Sequence, residues 1–126
     1  MIRAALFLGA AFVFAPAQTW DVPEEERAVK NPLEVSPDVL AAGEASYKKQ
    51  CVLCHGDSFK GDGSAVAMFP KKPPDLSTRE ARQRLTDGEI FYKITVGKTP
   101  MPAMETKLSE EERWQVVHFV RSLQAN

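Results

Sequence analysis

Apolar residues recur at helical spacing in three stretches of the chain. They are Val39, Leu40, Gly43 and Tyr47 in the first stretch, Ile90, Phe91 and Ile94 in the second, and Val116, Phe119, Val120 and Leu123 in the third. The chain contains no internal repeat and no convincing alternation of apolar and polar residues of the kind that a half-buried strand requires. The pattern therefore predicts an all-α fold.

Capping residues predict where the helices begin. Ser36 is followed by Pro37 and an acid, a combination that favours a helix N-terminus. Three further hydroxyl residues have a glutamate three positions later, which is the capping-box spacing: Ser77 with Glu80, Thr86 with Glu89, and Ser109 with Glu112. Gly97 is expected to end the helix that starts after Thr86. Gly43 lies inside a helix, where a glycine is unfavourable, and we expect it to permit close contact with another helix.

The stretch Cys51-Val52-Leu53-Cys54-His55 has the C-x-x-C-H pattern of covalent haem attachment. Each thiol can add across one vinyl group of a haem, and the three-residue spacing puts both sulfurs on one face of a helical turn. The imidazole of His55 can then bind the iron. A redox thiol pair, a structural zinc site and a disulfide are weaker alternatives. The chain lacks a βαβ pattern and a second ligand pair, and a Cys51–Cys54 bridge would close a very small loop.

A second candidate iron ligand lies between the last two predicted helices. Met101 stands between Pro100 and Pro102, which have no backbone N–H and favour an extended conformation. Such a backbone would present the thioether at a fixed distance from a haem. Ligation by methionine and histidine closes the sixth coordination position and raises the potential. Met104 is the alternative ligand, and an open sixth position is a further alternative.

The remaining loops carry less information. Gly61-Asp62-Gly63 lacks the third glycine of a dinucleotide-binding loop and follows no strand, so phosphate binding is not expected. The segment 65–69 is expected to form a turn of helix in which Met68 fills the core. His118 lies off the apolar stripe of the last helix and is interpreted as a surface residue.

The beginning of the chain resembles an export signal. Arg3 precedes an apolar run over residues 4–15 that is short for a bilayer span, and Ala15-Pro16-Ala17 is a suitable cleavage site. We interpret residues 1–17 as a signal peptide cleaved after Ala17, with an uncleaved anchor as the alternative. Residues 18–35 are rich in charge and proline, and they are expected to form an extended arm that lies over the domain or is loose in solvent. Residues 36–126 are expected to form the single domain.

Composition narrows the classes of function. The 126 residues include 16 basic and 17 acidic side chains, so the formal charge is −1. This near-neutral charge does not indicate a basic surface that would bind nucleic acid or an anionic membrane. A helical domain of this size is marginally stable on its own apolar core, and a buried porphyrin would add apolar surface. Export agrees with haem binding, since c-type attachment in bacteria occurs outside the cytoplasm.

Taken together, these motifs resemble those of class I c-type cytochromes, specifically the small bacterial monohaem ones. The resemblance rests on Gly43-x-x-x-Tyr47, the motif 51–56, Gly61-Asp62-Gly63, Pro73-x-Asp75-Leu76, the segments 85–89 and 97–103, and Arg121-Ser122-Leu123. It implies a cytochrome c-like fold around one covalently attached haem c, bound by Cys51 and Cys54. His55 would be the proximal iron ligand and Met101 the distal one.

The resemblance also implies helix packing and one departure from the family pattern. Gly43 and Tyr47 would cross the last helix near Val116 and Phe119. Relatives often have Gly-Pro after the haem motif, whereas this chain has Gly63-Ser64. The carbonyl that accepts a hydrogen bond from the ligand histidine would therefore come from one of three other prolines, which are Pro70, Pro73 and Pro74.

The function implied by the resemblance is single-electron transfer by a periplasmic carrier, not an enzyme, that docks a donor and an acceptor protein in turn. We expect no nucleic-acid partner, no membrane span in the mature chain, and a monomer or weak association. The alternatives are an electron-accepting subunit of a periplasmic dehydrogenase or oxidase complex, and a peroxidase-type haem enzyme with an open distal site. Six lysines flank segments expected around the haem and could steer a partner: Lys48, Lys49, Lys60, Lys71, Lys72 and Lys98.

Overall fold

The computed structural model describes residues 20–126, which form six α-helices and one 3-10 turn. The elements are α1 (Glu24–Arg27), α2 (Pro37–Gln50), α3 (Val52–His55), the 3-10 turn Val66–Met68, α4 (Arg79–Arg84), α5 (Asp87–Val96) and α6 (Glu110–Leu123). Residues 20–126 contain no strand beyond an isolated bridge, so the predicted all-α class is confirmed. None of the helices in this range has the length and apolar character needed to span a bilayer. The predicted signal peptide, residues 1–17, lies outside the described residues.

Helices α2 and α6 cross at Gly43, and this crossing forms the centre of the fold. A Cβ at Gly43 would overlap the carbonyl oxygen of Gln115 and would lie 3.0 Å from the Cβ of Phe119. Tyr47, about one turn further along α2, is 1% exposed, and its ring centroid lies 5.2 Å from that of Phe119. The close contact predicted for Gly43 and the crossing expected near Phe119 are therefore confirmed.

Helix caps agree with the prediction at three of four positions. Ser36 accepts a hydrogen bond from the backbone of α2, and Ser109 forms a complete capping box with Glu112 at the start of α6. Thr86 caps α5 by accepting from the N–H of Glu89 at 3.0 Å. The carboxylate of Glu89 does not return to Thr86, because it pairs with basic side chains instead.

The fourth predicted cap is wrong by one residue. Thr78, and not Ser77, begins α4 by accepting from the N–H of Ala81 at 3.1 Å. Ser77 donates both its N–H and its hydroxyl to the Asp75 carboxylate. These two hydrogen bonds hold the pKa of Asp75 below its usual value. The local pairing with Asp75 therefore competes with the capping role that the spacing suggested.

Eleven buried residues from all parts of the domain form one apolar core. They are Tyr47, Phe59, Leu85, Ile90, Ile94, Met104, Leu108, Trp114, Val116, Val117 and Val120. Met68 is not among them, and its predicted role as a core filler is wrong: it is 76% exposed. The 3-10 turn that carries it is only three residues long and continues into extended backbone at Phe69, so no helix face turns Met68 inward.

The end of α6 is fastened to the segment that precedes α5. The Arg121 guanidinium donates to the Asp87 carboxylate at 2.7 Å and to the carbonyl of Leu85 at 2.6 Å. The amide of Gln124 donates to the carbonyl of Leu76 at 2.9 Å. The Arg121 bonds fix the N-terminal end of α5 relative to α6, and the Gln124 bond ties the segment before α4 to the end of α6.

Residues 20–35 lie over the domain and are not extended throughout, since they include α1. The Asn31 amide donates to the carbonyl of Trp114 at 3.1 Å. The Nε2 atom of His118 lies 2.7 Å from the carbonyl oxygen of Leu33. His118 is therefore not a free surface histidine as the sequence suggested, because it is half-buried where the arm contacts α6.

Candidate haem-binding site

The C-x-x-C-H motif lies at the junction of α2 and α3. The N–H of Cys51 donates to Tyr47 at the end of α2, and its carbonyl accepts from the N–H of His55 at 3.0 Å. Cys51 and Cys54 are free, partly exposed thiols separated by one helical turn. Burial, with a smaller contribution from Cys54, raises the pKa of the Cys51 thiol to about 12. A redox-active pair needs a lowered thiol pKa, so this environment does not favour that alternative.

His55 occupies an apolar environment. Its ring centroid lies 5.3 Å from that of Phe59, and burial lowers the pKa of the imidazole. The neutral form, which is the form that binds metals, is therefore favoured. The Nδ1 atom is buried without a hydrogen-bond partner, which is unfavourable in the protein alone. A partly buried neutral imidazole beside two thiols at one-turn spacing fits the donor set that covalent haem requires.

None of the three prolines considered as acceptors for His55 bonds to its side chain within residues 20–126. The carbonyl of Pro73 lies instead against Gly61, where an added Cβ would overlap it. Gly61 in turn donates its N–H to the carbonyl of His55 at 2.9 Å. The proline segment therefore supports the histidine through the backbone of Gly61.

The loop after the motif folds back onto α3. Gly56 and Gly61 adopt positive φ angles of 77° and 74°, which side chains disfavour. Gly63 donates to the carbonyl of Cys54 at 3.1 Å, and an added Cβ there would overlap the α3 backbone. The hydroxyl of Tyr47 donates to the carbonyl of Gly56, and burial raises its pKa, so it stays protonated. Tyr47 thereby connects α2 to this loop.

Phe59 is a site residue that the sequence analysis missed. It is 5% exposed, it contacts the rings of both Tyr47 and His55, and it has a φ of 63°. A positive φ is uncommon for an aromatic residue and implies that packing holds it there. Phe59 lies in a polar, glycine-rich stretch with no apolar periodicity, so the pattern gives no signal for its burial.

Met101 lies on the loop 97–109 between α5 and α6. Lys98 and Met101 donate their N–H groups to each other's carbonyls at 2.9 and 2.8 Å. A tight turn therefore constrains Met101, in addition to the flanking prolines on which the prediction relied. Met101 is partly buried at the edge of the core, whereas Met104 is 3% exposed inside it.

The structure brings the haem motif and Met101 to one core. Cys51, Val52 and Met101 are all partly buried residues that pack against the same apolar cluster. Within residues 20–126, His, Cys, Asp and Glu side chains form no group of three or more that could hold a metal ion. The candidate ligands therefore border an apolar region, as an attached porphyrin requires.

This helical fold with its C-x-x-C-H motif defines a c-type cytochrome, and comparison with known proteins identifies the family. The family model described as cytochrome c oxidase, cbb3-type, subunit III matches residues 38–120. The chain therefore belongs to this cytochrome c family.

Two proteins named cytochrome c6 are sequence relatives. The chain is similar to cytochrome c6 of Petalonia fascia, with 30% identity over 80 residues that cover 64% of this chain and 87% of that protein. It is also similar to cytochrome c6 of Pyropia tenera, with 29% identity over 83 residues that cover 66% and 91%.

Two solved structures have a similar fold. A chain of the Kuenenia stuttgartiensis reducing HAO-like protein complex Kustc0457/Kustc0458 superposes with a TM-score of 0.64 and 30% identity. The match covers 77% of this chain but 50% of that one, so this chain spans half of its length. The KustC0563 c-type cytochrome superposes with a TM-score of 0.58 and 23% identity, covering 66% of this chain and 98% of that one.

These findings confirm three predictions from the sequence. The chain is a small class I c-type cytochrome with an all-α fold. Its cofactor is covalently bound haem c, and its C-x-x-C motif is Cys51 and Cys54. Its function is electron transfer through the haem.

Proposed function

We propose that the protein is an exported, periplasmic electron carrier whose haem is attached at Cys51 and Cys54 and ligated by His55 and Met101. The observation that carries this proposal is the shared core: Cys51 and Met101 lie far apart in the chain, yet both border the same apolar cluster. A single-domain chain that presents the attachment segment and the candidate distal ligand to one apolar region can hold one haem there.

Each of these residues has a separate role in the proposal. Thioether bonds to Cys51 and Cys54 would prevent loss of the cofactor. His55, packed against Phe59, would supply the proximal nitrogen, and Met101 the distal sulfur. Bound haem supplies an iron that gains or loses one electron. A sulfur ligand in the sixth position leaves no open site for a substrate, which favours a carrier over an enzyme.

The proposed docking surface surrounds the attachment segment. Three apolar side chains are exposed there: Leu53 at 59%, Met68 at 76% and Phe69 at 38%. Their segments are adjacent, since the N–H of Ala65 donates to the carbonyl of Leu53 at 2.8 Å. Lys71 and Lys72, which follow Phe69 closely in the chain, are exposed. The other four lysines of the predicted set are exposed as well. A small apolar surface with a basic border suits brief contact with an acidic redox protein.

A permanent subunit of a larger redox complex is the second candidate. Two observations favour it: the family description names an oxidase subunit, and one structural neighbour belongs to a protein complex. A carrier should purify alone at the mass of the processed chain plus haem. Purification in constant stoichiometry with a dehydrogenase or oxidase would favour the subunit.

The proposal is tested by the purified exported protein. Acid–acetone extraction should leave the colour on the polypeptide, and the mass should exceed that of the chain cleaved after Ala17 by one haem. The reduced protein should bind carbon monoxide poorly at neutral pH and should not turn over hydrogen peroxide. Rapid stoichiometric binding of carbon monoxide would contradict Met101 ligation and favour the peroxidase-type alternative. Extraction of the colour would contradict the covalent attachment.

A further inference from the structure

Residues 20–35, the arm, precede the region 38–120 that the family model matches, and they pack across the two helices that carry the Met101 loop. The loop 97–109 leaves the end of α5 and enters the start of α6. Any element that holds α5 and α6 together therefore constrains both ends of this loop. The arm contacts both helices with polar and charged groups.

The contact with α5 centres on a buried acid. Glu89 is 3% exposed, and its carboxylate lies 3.0 Å from the Arg27 guanidinium and 2.7 Å from the Lys93 ammonium. The Lys93 ammonium also lies 5.5 Å from the ring centroid of Trp20. At Gly88 an added Cβ would overlap the carbonyl oxygen of Glu26, so the arm backbone lies directly on α5. Arg27 is only partly buried, but its removal would leave the buried Glu89 carboxylate with Lys93 alone and so weaken the contact.

The contact with α6 consists of two hydrogen bonds. The Asn31 amide donates to the carbonyl of Trp114 at 3.1 Å, and the His118 Nε2 lies 2.7 Å from the carbonyl of Leu33. Trp114 stacks on Phe91 of α5 with 3.9 Å between ring centroids. The arm therefore reinforces an α5–α6 interface that these two rings form.

Further contacts pass from that interface to the loop. The N–H of Met104 donates to the carbonyl of Ile94 at 3.0 Å, which ties the loop to the end of α5. Arg113 of α6 donates to the carbonyls of Leu108 and Glu105 at 2.9 and 3.2 Å. A relative movement of the two helices would displace these anchors, which lie at Met104 and just after it, and Met101 three residues earlier would move with them.

We propose that the arm is a strap that fixes α5 against α6 and thereby positions Met101 as an iron ligand. Arg27 and Asn31 are positioning residues in this view, because they act through the helices and do not contact Met101. The inference rests on the proposed ligation by Met101. Opening of the loop is a local event, so loosening the strap should free the iron without unfolding the domain.

The test measures imidazole binding to the ferric holoprotein under native conditions, because imidazole binds only when the methionine has left. Arg27→Ala should raise the apparent affinity for imidazole by about tenfold, since a buried acid loses a partner. Lys30→Ala is the matched control, as it removes the same charge from an exposed position in the same arm. Arg27→Lys should restore most of the wild-type affinity. Circular dichroism should show that all variants remain folded.

Asn31→Ala provides an independent variant if Arg27→Ala does not fold. It removes one hydrogen bond to α6, and a rise of about threefold is expected. If every variant of this pair that folds binds imidazole no more tightly than Lys30→Ala does, the proposed role of the arm is wrong. The ligand assignment fails separately, if the wild-type ferric protein lacks the weak far-red absorption of a sulfur–iron bond.

Discussion

In the attachment segment, hydrogen bonds join residues that are close in the chain: Gly61 to His55, Gly63 to Cys54, and Tyr47 to Gly56. In the Met101 loop, the reciprocal pair between Lys98 and Met101 is local, and the other anchors come from α5 and α6. The first region is therefore held by bonds within residues 47–63, and the second by bonds to the two helices that flank it, which the arm also contacts. We expect remote substitutions to reach the loop more readily than the attachment segment.

The largest expected effect comes from replacing the proposed distal ligand. Met101→Ala should remove the weak far-red band of the ferric protein, lower the potential and admit carbon monoxide. Met104→Leu is the matched control, because it is close in volume and lies inside the core. It should keep the band and cost less than about 1.5 kcal/mol in the free energy of unfolding. If the two variants exchange these outcomes, Met104 is the ligand.

The next effect concerns the helix crossing on which both regions depend. Helix propensity alone would make Gly43→Ala stabilising by about 1 kcal/mol. The overlap with the Gln115 carbonyl should reverse the sign and lower the free energy of unfolding by about 2 kcal/mol, measured with urea. Ala45→Gly, at an exposed position of α2, is the control and should lose about 1 kcal/mol. A more stable Gly43→Ala variant would contradict the close crossing.

A smaller loss is expected in the attachment segment itself. Tyr47→Phe leaves the Gly56 carbonyl without its donor and should lower the free energy of unfolding by about 1–2 kcal/mol. The far-red band should persist, since this contact does not reach the Met101 loop. Tyr92→Phe is the control, because the Tyr92 hydroxyl makes no hydrogen bond within residues 20–126. Loss of the band in Tyr47→Phe would show that the two regions are coupled.

The smallest expected effect concerns the lysines beside the attachment segment. Reduced protein should transfer electrons to ferricyanide, an anionic oxidant, faster at low than at high ionic strength. The double variant Lys71→Gln, Lys72→Gln should lower the low-salt rate by about twofold and flatten the salt dependence. Lys30→Gln removes a charge from the arm and serves as the control. Equal salt dependence in all three proteins would exclude steering by this surface.

The parts of the fold that were predictable depend on local chemistry. A serine three residues before a glutamate begins α6 because the two can satisfy each other's backbone N–H groups. Gly43 indicated a close helix crossing because a helix interior otherwise disfavours glycine. The C-x-x-C-H motif specified the attachment segment because thioether chemistry needs that spacing.

The predictions were wrong or incomplete where contacts between distant parts of the chain determine whether a residue is buried. His118 looked like a surface residue because its partner, the Leu33 carbonyl, is a backbone atom far away in the chain. Phe59 was not predicted to be buried because it lies in a glycine-rich loop without helical periodicity. Its positive φ angle is part of the loop conformation in which it is buried. The sequence left open whether the arm lies over the domain or is loose in solvent, because the buried partner of Arg27 is provided only by the folded domain.

The exposure of Met68 has a chemical consequence for how the protein meets oxidants in solution. Met68 is 76% exposed, whereas Met104 is 3% exposed. Peroxides in solution convert accessible methionine to the sulfoxide, which is polar and which reductases can restore. Met68, on its short 3-10 turn, is therefore expected to be oxidised before the buried Met104.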